Sequence, residues 1–486
     1  MENGHDSIWY NPDSSETGYS IEEMAFYVLG QREGRELQKT TWSRLASIAV
    51  SGARAARGAL DVTAQNIANA SSDGYVRRSL RIEEVSASGG AGRIGDISLS
   101  GSRIAEIRRN ADSFLQGEVR RTSGDLERAN TELKGLRNME SALEQSGVFS
   151  SIVEFEAALQ QLAGDPVDPS RRAAVIGEAT TLASKFNITA SSFDAVGEGL
   201  RFEADAQVSE ANVIGGELAR VNLRLTRAGA GSSDRAALLD QRDQLLERLS
   251  GFTSITTNFE SDGTVAVALG ANPTQSFVQG GTSQTLSSAV AADGTLSFAV
   301  NGQPVNPGSG SLAGASLALT ELASVRGRLD TIAASLADTV NNAQAAGVAL
   351  DGTQGQPIFS GTTAGTLTVV MTQGQGLATA PTGAGAGSRD DSNLNALRQS
   401  LASLNPAQQL NGLLFDVSSK VAGRTVTQGA LDTIASSARI SLEQQSGVDL
   451  DTEAANLIRF QQAFQASGRA MQAASDIFDT LLGIGR

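Results

Sequence analysis

The chain has 486 residues, a formal net charge of −15 at pH 7, no cysteine and a single histidine, His5. This length suffices for about three domains with cores of their own, and the negative charge makes nucleic acid and anionic membrane surfaces poor partners. Without cysteine the chain has no disulfide and no thiolate nucleophile or metal ligand, and no apolar run approaches the length of a membrane-spanning helix.

Residues 1–42 differ in composition from the rest of the chain. Three of the four tyrosines and the only histidine lie within residues 1–41. We therefore expect an extension outside the folded body, which is either disordered or the product of a start codon assigned too early. No charged start is followed by an apolar stretch and a small-residue cleavage site, so we expect no cleaved secretion signal.

The first half of the body is predicted to be helical with one short extended stretch. A helix is predicted over 43–70 with Ser43 as its N-cap, followed by a Ser, Asp and Gly-rich loop to Tyr75. Leu80, Ile82 and Val85 indicate a short strand. Further helices are predicted at 105–143, 151–163, 169–226 and 235–252.

The pattern changes at Phe252, where apolar and polar residues begin to alternate around a Ser-Asp-Gly turn. This period of two is typical of a β-hairpin, and we interpret 252–309 as a small β domain inserted into a helical body. A helix is then predicted over 311–346, a strand over 366–371, and helices from Ser392 to Leu482.

Heptad stripes mark both ends of the chain. Near the start they contain Ala53, Leu60 and Ile67, and near the end Leu457, Phe460, Phe464, Met471, Phe478, Leu481 and Leu482. We expect the two ends to pair as a coiled coil with apolar surface left for neighbouring subunits, as a polymerising subunit requires. The alternative is that the stripes satisfy each other within one molecule.

The predicted fold is mainly α with inserted β: a long antiparallel helical bundle closed by N- and C-terminal coiled-coil helices, plus a small β domain. The predicted domains are the 1–42 extension, a terminal assembly domain (43–78 with 446–486), a helical bundle (79–251 with 310–350 and 390–445), the β domain (252–309) and a short turn-rich outer segment (351–389).

Candidate chemical sites are weak. Asp240 and Asp243 lie three residues apart on a predicted helix, and we interpret them as part of an exposed charged face rather than an acid–base pair. Asp449, Asp451 and Glu453 fit the acidic start of a helix better than a calcium loop. The glycine-rich stretches at 228–234 and 383–391 lack the Lys-Ser/Thr pair of a phosphate-binding loop. We therefore predict no enzyme, no catalytic residue, no cofactor and no metal site.

Two segments carry a resemblance to a known family. Asn66, Ile67, Ala68, Asn69, Gly74, Tyr75 and Arg77 fit the N-I-A-N-x-x-T-x-G-Y-x-R signature of flagellar rod, hook and hook-associated proteins, with Ala53 where that family usually has Leu. Residues 446–484 are similar to the closing helix of the same family. Residues 238–267, 310–352 and 390–400 resemble its hook-associated branch, which joins hook to filament.

The resemblance implies a structural role in flagellum assembly and motility. It implies Asn66, Asn69, Gly74 and Tyr75 as assembly residues beside the heptad stripes. The implied partners are copies of the chain, the hook protein, a second junction protein and an export chaperone on the C-terminal helix. The implied location is extracellular, after export without a cleaved signal. Alternatives are another axial subunit (hook or distal rod protein) and an exported cell-wall hydrolase or surface-binding module.

Overall fold

The computed structural model describes the backbone of residues 21–87, 98–271, 273 and 275–484, with side chains for 45–85, 101–271, 273 and 275–480. The chain divides into two compact units. The terminal unit comprises 1–73, 77–110 and 448–486, and the central unit comprises 74–76 and 111–447.

Helices make up most of the described chain. They are α1 (Ile21–Ala68), α2 (Ser113–Glu144), α3 (Val148–Ala163), α4 (Pro169–Leu225), α5 (Ser233–Phe252), α6 (Gly310–Ala345), α7 (Ser392–Leu404), α8 (Pro406–Ser446) and α9 (Leu450–Ile484). The strands are β1 (Arg78–Ala87), β2 (Ser98–Arg109), β3 (Ile255–Phe259), β4 (Val265–Leu269), β5 (Val278–Gln279), β6 (Thr282–Ser283), β7 (Leu286–Val290), β8 (Leu296–Val300), β9 (Gln303–Val305), β10 (Gly347–Val348), β11 (Phe359–Ser360), β12 (Thr368–Val369) and β13 (Ala380–Pro381).

The terminal unit consists of α1, the antiparallel hairpin β1–β2 and α9. The hairpin packs on α1 where the helix carries Gly58. A Cβ atom at Gly58 would lie 2.7 Å from Ile104 Cδ1 and 3.5 Å from Leu80 Cδ2. A larger residue at this position would require the Ile104 side chain to move.

The hairpin differs from the prediction, which assigned residues 79–110 to the bundle and began a helix at Ala105. Strand β2 continues to Arg109, because Ile104 and Ile107 pair with β1 across a ladder that local periodicity does not reveal. Helix α2 begins at Ser113, where the Asp112 carboxylate accepts hydrogen bonds from two backbone N–H groups. Residues 78–109 therefore belong to the terminal unit.

Helix α1 also differs from the prediction, because it begins at Ile21 and runs through Ser43, the expected N-cap. No proline interrupts residues 21–68, so nothing in the local chemistry ends the helix there. Residues 21–42 are helical and continuous with the body. Residues 1–20 lie outside the described residues.

The central unit is built on α2, α4, α6 and α8. Helices α4 and α6 are antiparallel, since Asp194 pairs with Arg326 and Gln207 accepts a hydrogen bond from Ser311 at 2.7 Å. Lys420 of α8 pairs with Glu321 of α6 at 2.6 Å. One continuous apolar core runs through these helices and the inserted strands. The mainly α fold with inserted β, and its antiparallel bundle, are thus confirmed.

Helix α4 is unbroken over 57 residues, although its interior contains several glycines. These glycines allow close packing instead. A Cβ at Gly215 would lie 2.7 Å from the ring of Phe277, and one at Gly197 would lie 3.1 Å from Leu322 Cδ2. Asp168 caps the start of the helix, and Pro169 occupies its first turn.

The inserted β region contains two antiparallel sheets, ordered β3-β4-β5-β6 and β7-β8-β9. The predicted hairpin around the Ser-Asp-Gly turn is present as β3–β4. Asparagines of α4 hold both sheets. The Asn222 amide donates to Val265 O at 2.9 Å and accepts from Val265 N at 3.0 Å. The Asn212 amide makes the same pair of bonds with Leu286 at 2.8 Å each.

The turn-rich segment after α6 contains β10–β13 and a short 3₁₀ turn at Gly374–Gly376. Arg172 of α4 holds this segment. The Arg172 guanidinium is buried and donates to Leu377 O at 2.8 Å, to Gly374 O at 3.2 Å and to Thr379 Oγ1 at 2.8 Å. Burial lowers the pKa of Arg172. Carbonyl and hydroxyl oxygens, rather than a carboxylate, compensate its charge.

Candidate assembly site at the joined chain termini

Helices α1 and α9 pack side by side in opposite directions within the terminal unit. Small residues allow the close approach. A Cβ atom at Gly52 would lie 3.1 Å from Ser467 Oγ and 4.0 Å from Ser467 Cβ. The inner face of α1 is buried and consists largely of alanine, including Ala49, Ala56 and Ala59. The two ends of the chain therefore meet, as the heptad stripes predict.

Three segments converge just after α1, around residues 77 and 78. The Asn66 amide, buried on the last turns of α1, donates to Arg78 O at 2.8 Å and accepts from Arg78 N at 3.0 Å. The Asn110 N–H, at the base of the hairpin, donates to Arg77 O at 2.9 Å. Backbone groups of residues 77 and 78 that would otherwise need water thereby form hydrogen bonds with α1 and with the base of the hairpin.

The Arg77 side chain extends from this point to the first turn of α9. Its Nε donates to Glu453 Oε1 at 2.7 Å. Glu453 is only 1% exposed, whereas the Arg77 side chain is 29% exposed. A carboxylate this deeply buried is costly unless a cation and hydrogen bonds compensate it, so this ion pair joins the start of the hairpin to the first turn of α9.

Asp449 is an exposed residue that caps the N-terminus of α9. Its carboxylate accepts hydrogen bonds from the Thr452 hydroxyl at 2.9 Å and from the Asp451 N–H at 3.0 Å. These bonds lower the pKa of Asp449, with the Thr452 hydroxyl the largest cause. The acidic start of α9 is thus occupied by helix capping at Asp449 and ion pairing at Glu453. Among the described residues, no three His, Cys, Asp or Glu side chains are grouped to hold a metal ion.

The predicted assembly residues of α1 line its packed side. Ala53, Leu60 and Ile67 are half-buried, and Asn66 is fully buried. The Asn69 amide donates to Gln65 O at 2.8 Å and so satisfies a carbonyl in the last turn of the helix.

Gly74 and Tyr75 are not part of this packed face, because Gly74–Val76 belongs to the central unit. Gly74 has a φ of +70°, so the signature glycine is favoured by its conformation, and a Cβ there would also displace the Gln244 side chain. Tyr75 is half-buried.

The predicted stripe of α9 is only partly covered. Leu457, Phe460 and Phe478 are half-buried. Phe464 and Met471 remain 44% and 37% exposed. The neighbouring positions Ile458 and Ile477 are 56% and 51% exposed. The side chains of Leu481 and Leu482 lie outside the described residues. One helix therefore leaves a run of large apolar side chains in contact with solvent, an arrangement typical of an interaction surface.

Sequence reasoning missed three residues of this site: Gly52, Arg77 and Glu453. Arg77 matches the family signature and could have been selected on that basis. Glu453 was interpreted only as a helix-starting acid, since nothing local links it to a residue 376 positions earlier.

The interpretation of Asp240 and Asp243 as an exposed charged face is wrong, because both are buried. Asp243 Oδ1 accepts from Arg242 at 2.9 and 2.6 Å, and its Oδ2 accepts from Gln116 at 3.1 Å. Arg242 also donates to Gly263 O at 2.6 Å and lies 4.6 Å from the centre of the Phe259 ring. The carboxylate of Asp243 is thus engaged in fastening α5 to the β3–β4 turn.

Comparison with known families matches both ends of the chain to flagellar proteins. Residues 47–75 match the family described as flagella basal body rod protein, and residues 442–484 match the flagellar basal body rod FlgEFG protein C-terminal family. These matches cover the packed part of α1 and the whole of the described α9. Together with the joined termini they place the chain in the class of flagellar axial proteins.

The middle of the chain identifies the branch. Residues 133–359 match the family described as flagellar hook-associated protein FlgK helical domain. The chain is 28% identical over 335 residues to flagellar hook-associated protein 1 of Salmonella typhimurium, covering 65% of this chain and 59% of that protein. It is 25% identical over 494 residues to the Bacillus subtilis protein of that name, covering 89% and 96% of the two chains. The chain is therefore similar to flagellar hook-associated protein 1 in its middle and to flagellar rod proteins at both ends.

A solved structure, the flagellar hook junction protein FlgK from Burkholderia pseudomallei, is also similar. The match has a TM-score of 0.44 and 24% identity, and it covers 50% of this chain and 46% of that one. Among the described residues, no helix combines the length and apolar character needed to cross a bilayer.

Proposed function

We propose that this chain is a structural subunit of the bacterial flagellum that joins hook to filament and assembles through its terminal helices. The observation that carries the proposal is the partly uncovered apolar surface of α9 in a chain similar to flagellar hook-associated protein 1. The match of the central unit to the hook-associated helical domain favours this role over that of a hook or distal rod subunit.

Assembly buries the exposed side of α9 against neighbouring subunits. Each large apolar side chain that becomes fully buried contributes about 1.5–3 kcal/mol. Phe464, Met471, Ile458 and Ile477 together can therefore supply several kcal/mol toward association, against the entropy of ordering a long helix. Contacts between different faces of identical subunits continue from one copy to the next.

The partners that fit this role are copies of the chain, the hook protein on one side and a second junction protein on the other. An export chaperone that covers α9 before assembly fits the same exposed surface. The location is extracellular, at the end of the hook, after export without a cleaved signal. The role is non-enzymatic, in keeping with the use of Asp243 and Glu453 in structural ion pairs.

The proposal is tested by removing the apolar surface without disturbing the fold. In cells that lack the native protein, the variant F464S/M471S is expected to leave bare hooks, with filament protein shed into the medium and motility lost in soft agar. Both side chains are exposed in the single chain, so the purified variant should remain folded by circular dichroism.

The matched control is Q465S/Q472S, which places serine at two exposed polar positions of the same helix. This control is expected to keep both filaments and motility. Wild-type motility of F464S/M471S would rule out assembly through this surface of α9.

A further inference from the structure

The packing of α1 against α9 carries little information about how far the two helices are shifted along each other. The contacting face of α1 repeats small residues of similar size, among them Ala49, Ala56 and Ala59. On the side of α9 that faces α1, small residues also recur seven positions apart, at Ser467 and Ala474. A shift by one heptad therefore replaces one small residue with another at this contact, so packing there separates the two registers poorly.

One contact in this pairing is not repeated. Among the described residues of α9, Glu453 is a buried carboxylate, and its partner Arg77 is held through the two peptide groups that follow it. The Asn110 N–H fixes Arg77 O, and the Asn66 amide fixes both backbone groups of Arg78. The cation therefore comes from the residue before β1, and the peptide groups that follow it are hydrogen-bonded to α1 and to the base of the hairpin.

We propose that the Arg77–Glu453 ion pair sets the register of α9 on α1, so that these two residues determine the specificity of the terminal pairing rather than merely its strength. A shift of seven residues moves Glu453 about 10 Å along the helix axis. That distance breaks the ion pair and leaves Glu453 either exposed or buried without a cation. A single buried polar contact is known to select register in this way in coiled coils.

The proposal concerns pairing inside one chain and goes beyond the proposed function, since it holds whether or not the chain assembles at the hook.

The absence of cysteine makes the register directly measurable, because the introduced thiols have no native thiols to compete with them. The Cβ separation of 4.0 Å between positions 52 and 467 suits a disulfide. The pair G52C/S467C therefore reports the observed register, and G52C/A474C reports a shift of one heptad.

Positions 52, 467 and 474 are replaced by cysteine together in the full chain, so that positions 467 and 474 compete for position 52. Four such proteins are made: one with the native ion pair, and one each with E453Q, R77K and E83Q. The proteins are oxidised at low concentration, and mass spectrometry of the linked peptides gives the ratio of the 52–467 to the 52–474 disulfide. In E453Q this ratio is expected to fall by about tenfold or more, because the remaining cation no longer distinguishes the registers. In R77K, which keeps the cation, the ratio should stay close to that of the native pair.

The control E83Q removes the carboxylate of an exposed ion pair on the hairpin, which Arg103 contacts at 3.0 Å, and should leave the ratio unchanged. An unchanged ratio in E453Q would overturn the proposal. So would the loss of both disulfides in E453Q, since the pair would then hold α9 to α1 without selecting a register. The proposal would also be overturned if E83Q lowered the disulfide ratio as much as E453Q does, because the change in net charge would then explain both results.

Discussion

At the scale of single residues, side-chain amides on helices repeatedly complete the hydrogen bonding of neighbouring strands and loops. Asn66, Asn212, Asn222 and Asn341 each donate to a carbonyl and accept from a backbone N–H of the segment they face. An amide can do this because it presents a donor and an acceptor side by side, as a strand edge does. Asn66, the first asparagine of the family signature, therefore holds the backbone of the segment that follows α1.

The substitution Asn222→Asp tests this role. The Nδ2 group of Asn222 donates to Val265 O at 2.9 Å and to Gly280 O at 2.8 Å, so a carboxylate would face two carbonyl oxygens in a buried site. We expect the free energy of unfolding to fall by about 2–4 kcal/mol, measured by urea denaturation.

The control for that substitution is Asn301→Asp, at an exposed left-handed turn position that aspartate also tolerates. We expect a change within about 0.5 kcal/mol at this position. Equal effects at positions 222 and 301 would contradict the fastening role of the buried amide.

At the scale of elements, the helix ends follow local chemistry closely. Asp112, Asp168 and Asp449 each accept backbone N–H groups at a helix start, as capping residues do. The helix interiors instead depend on tertiary contacts. At Gly215, for example, the segment before β5 brings the Phe277 ring against the backbone of α4. The chemistry of a cap is therefore local once the helix start is known, although the wrong prediction at Ser43 shows that a capping residue type alone does not locate that start.

The cap of α9 gives a prediction about pH. The pKa of Asp449 is lowered from its usual value of 3.8 by the hydrogen bonds from Thr452. Because the folded pKa is the lower one, the cap contributes fully above about pH 4 and is lost as the pH falls through the lowered pKa. We expect faster hydrogen exchange at the Asp451 and Thr452 amides below pH 4, relative to the variant D449N at the same pH, since asparagine caps without titrating.

The matched variant for this measurement is D432N, which changes an exposed acid in the middle of α8. It should exchange at residues 451 and 452 as the wild type does at every pH. If hydrogen exchange at these two amides had the same pH dependence in D449N and in the wild type, titration of the Asp449 cap would not control the start of α9.

At the scale of the whole molecule, the continuous apolar core lies entirely within the central unit. The described part of the terminal unit is held instead by alanine packing, by the buried Arg77–Glu453 ion pair and by a two-stranded hairpin. This division fits a subunit whose body folds as a single chain and whose ends complete their burial in an assembly.

We therefore expect the fragment 111–447 to fold alone, with a cooperative thermal transition within about 5 °C of the full chain, because every member of the core is retained. Differential scanning calorimetry measures this directly. A fragment that melts without cooperativity would show that the central unit needs the terminal helices to fold.

The sequence by itself determined the helical character of both ends, the heptad stripes, the β3–β4 hairpin and the resemblance to flagellar hook-associated proteins. These features depend on periodicity and on short motifs, and both are written in neighbouring residues. The tertiary structure alone decided that Ala105–Arg109 is a strand, that Asp240 and Asp243 are buried and that Arg77 meets Glu453. Each of these depends on a partner far away in the chain, and no local pattern states which distant segment will supply the missing hydrogen bond or charge.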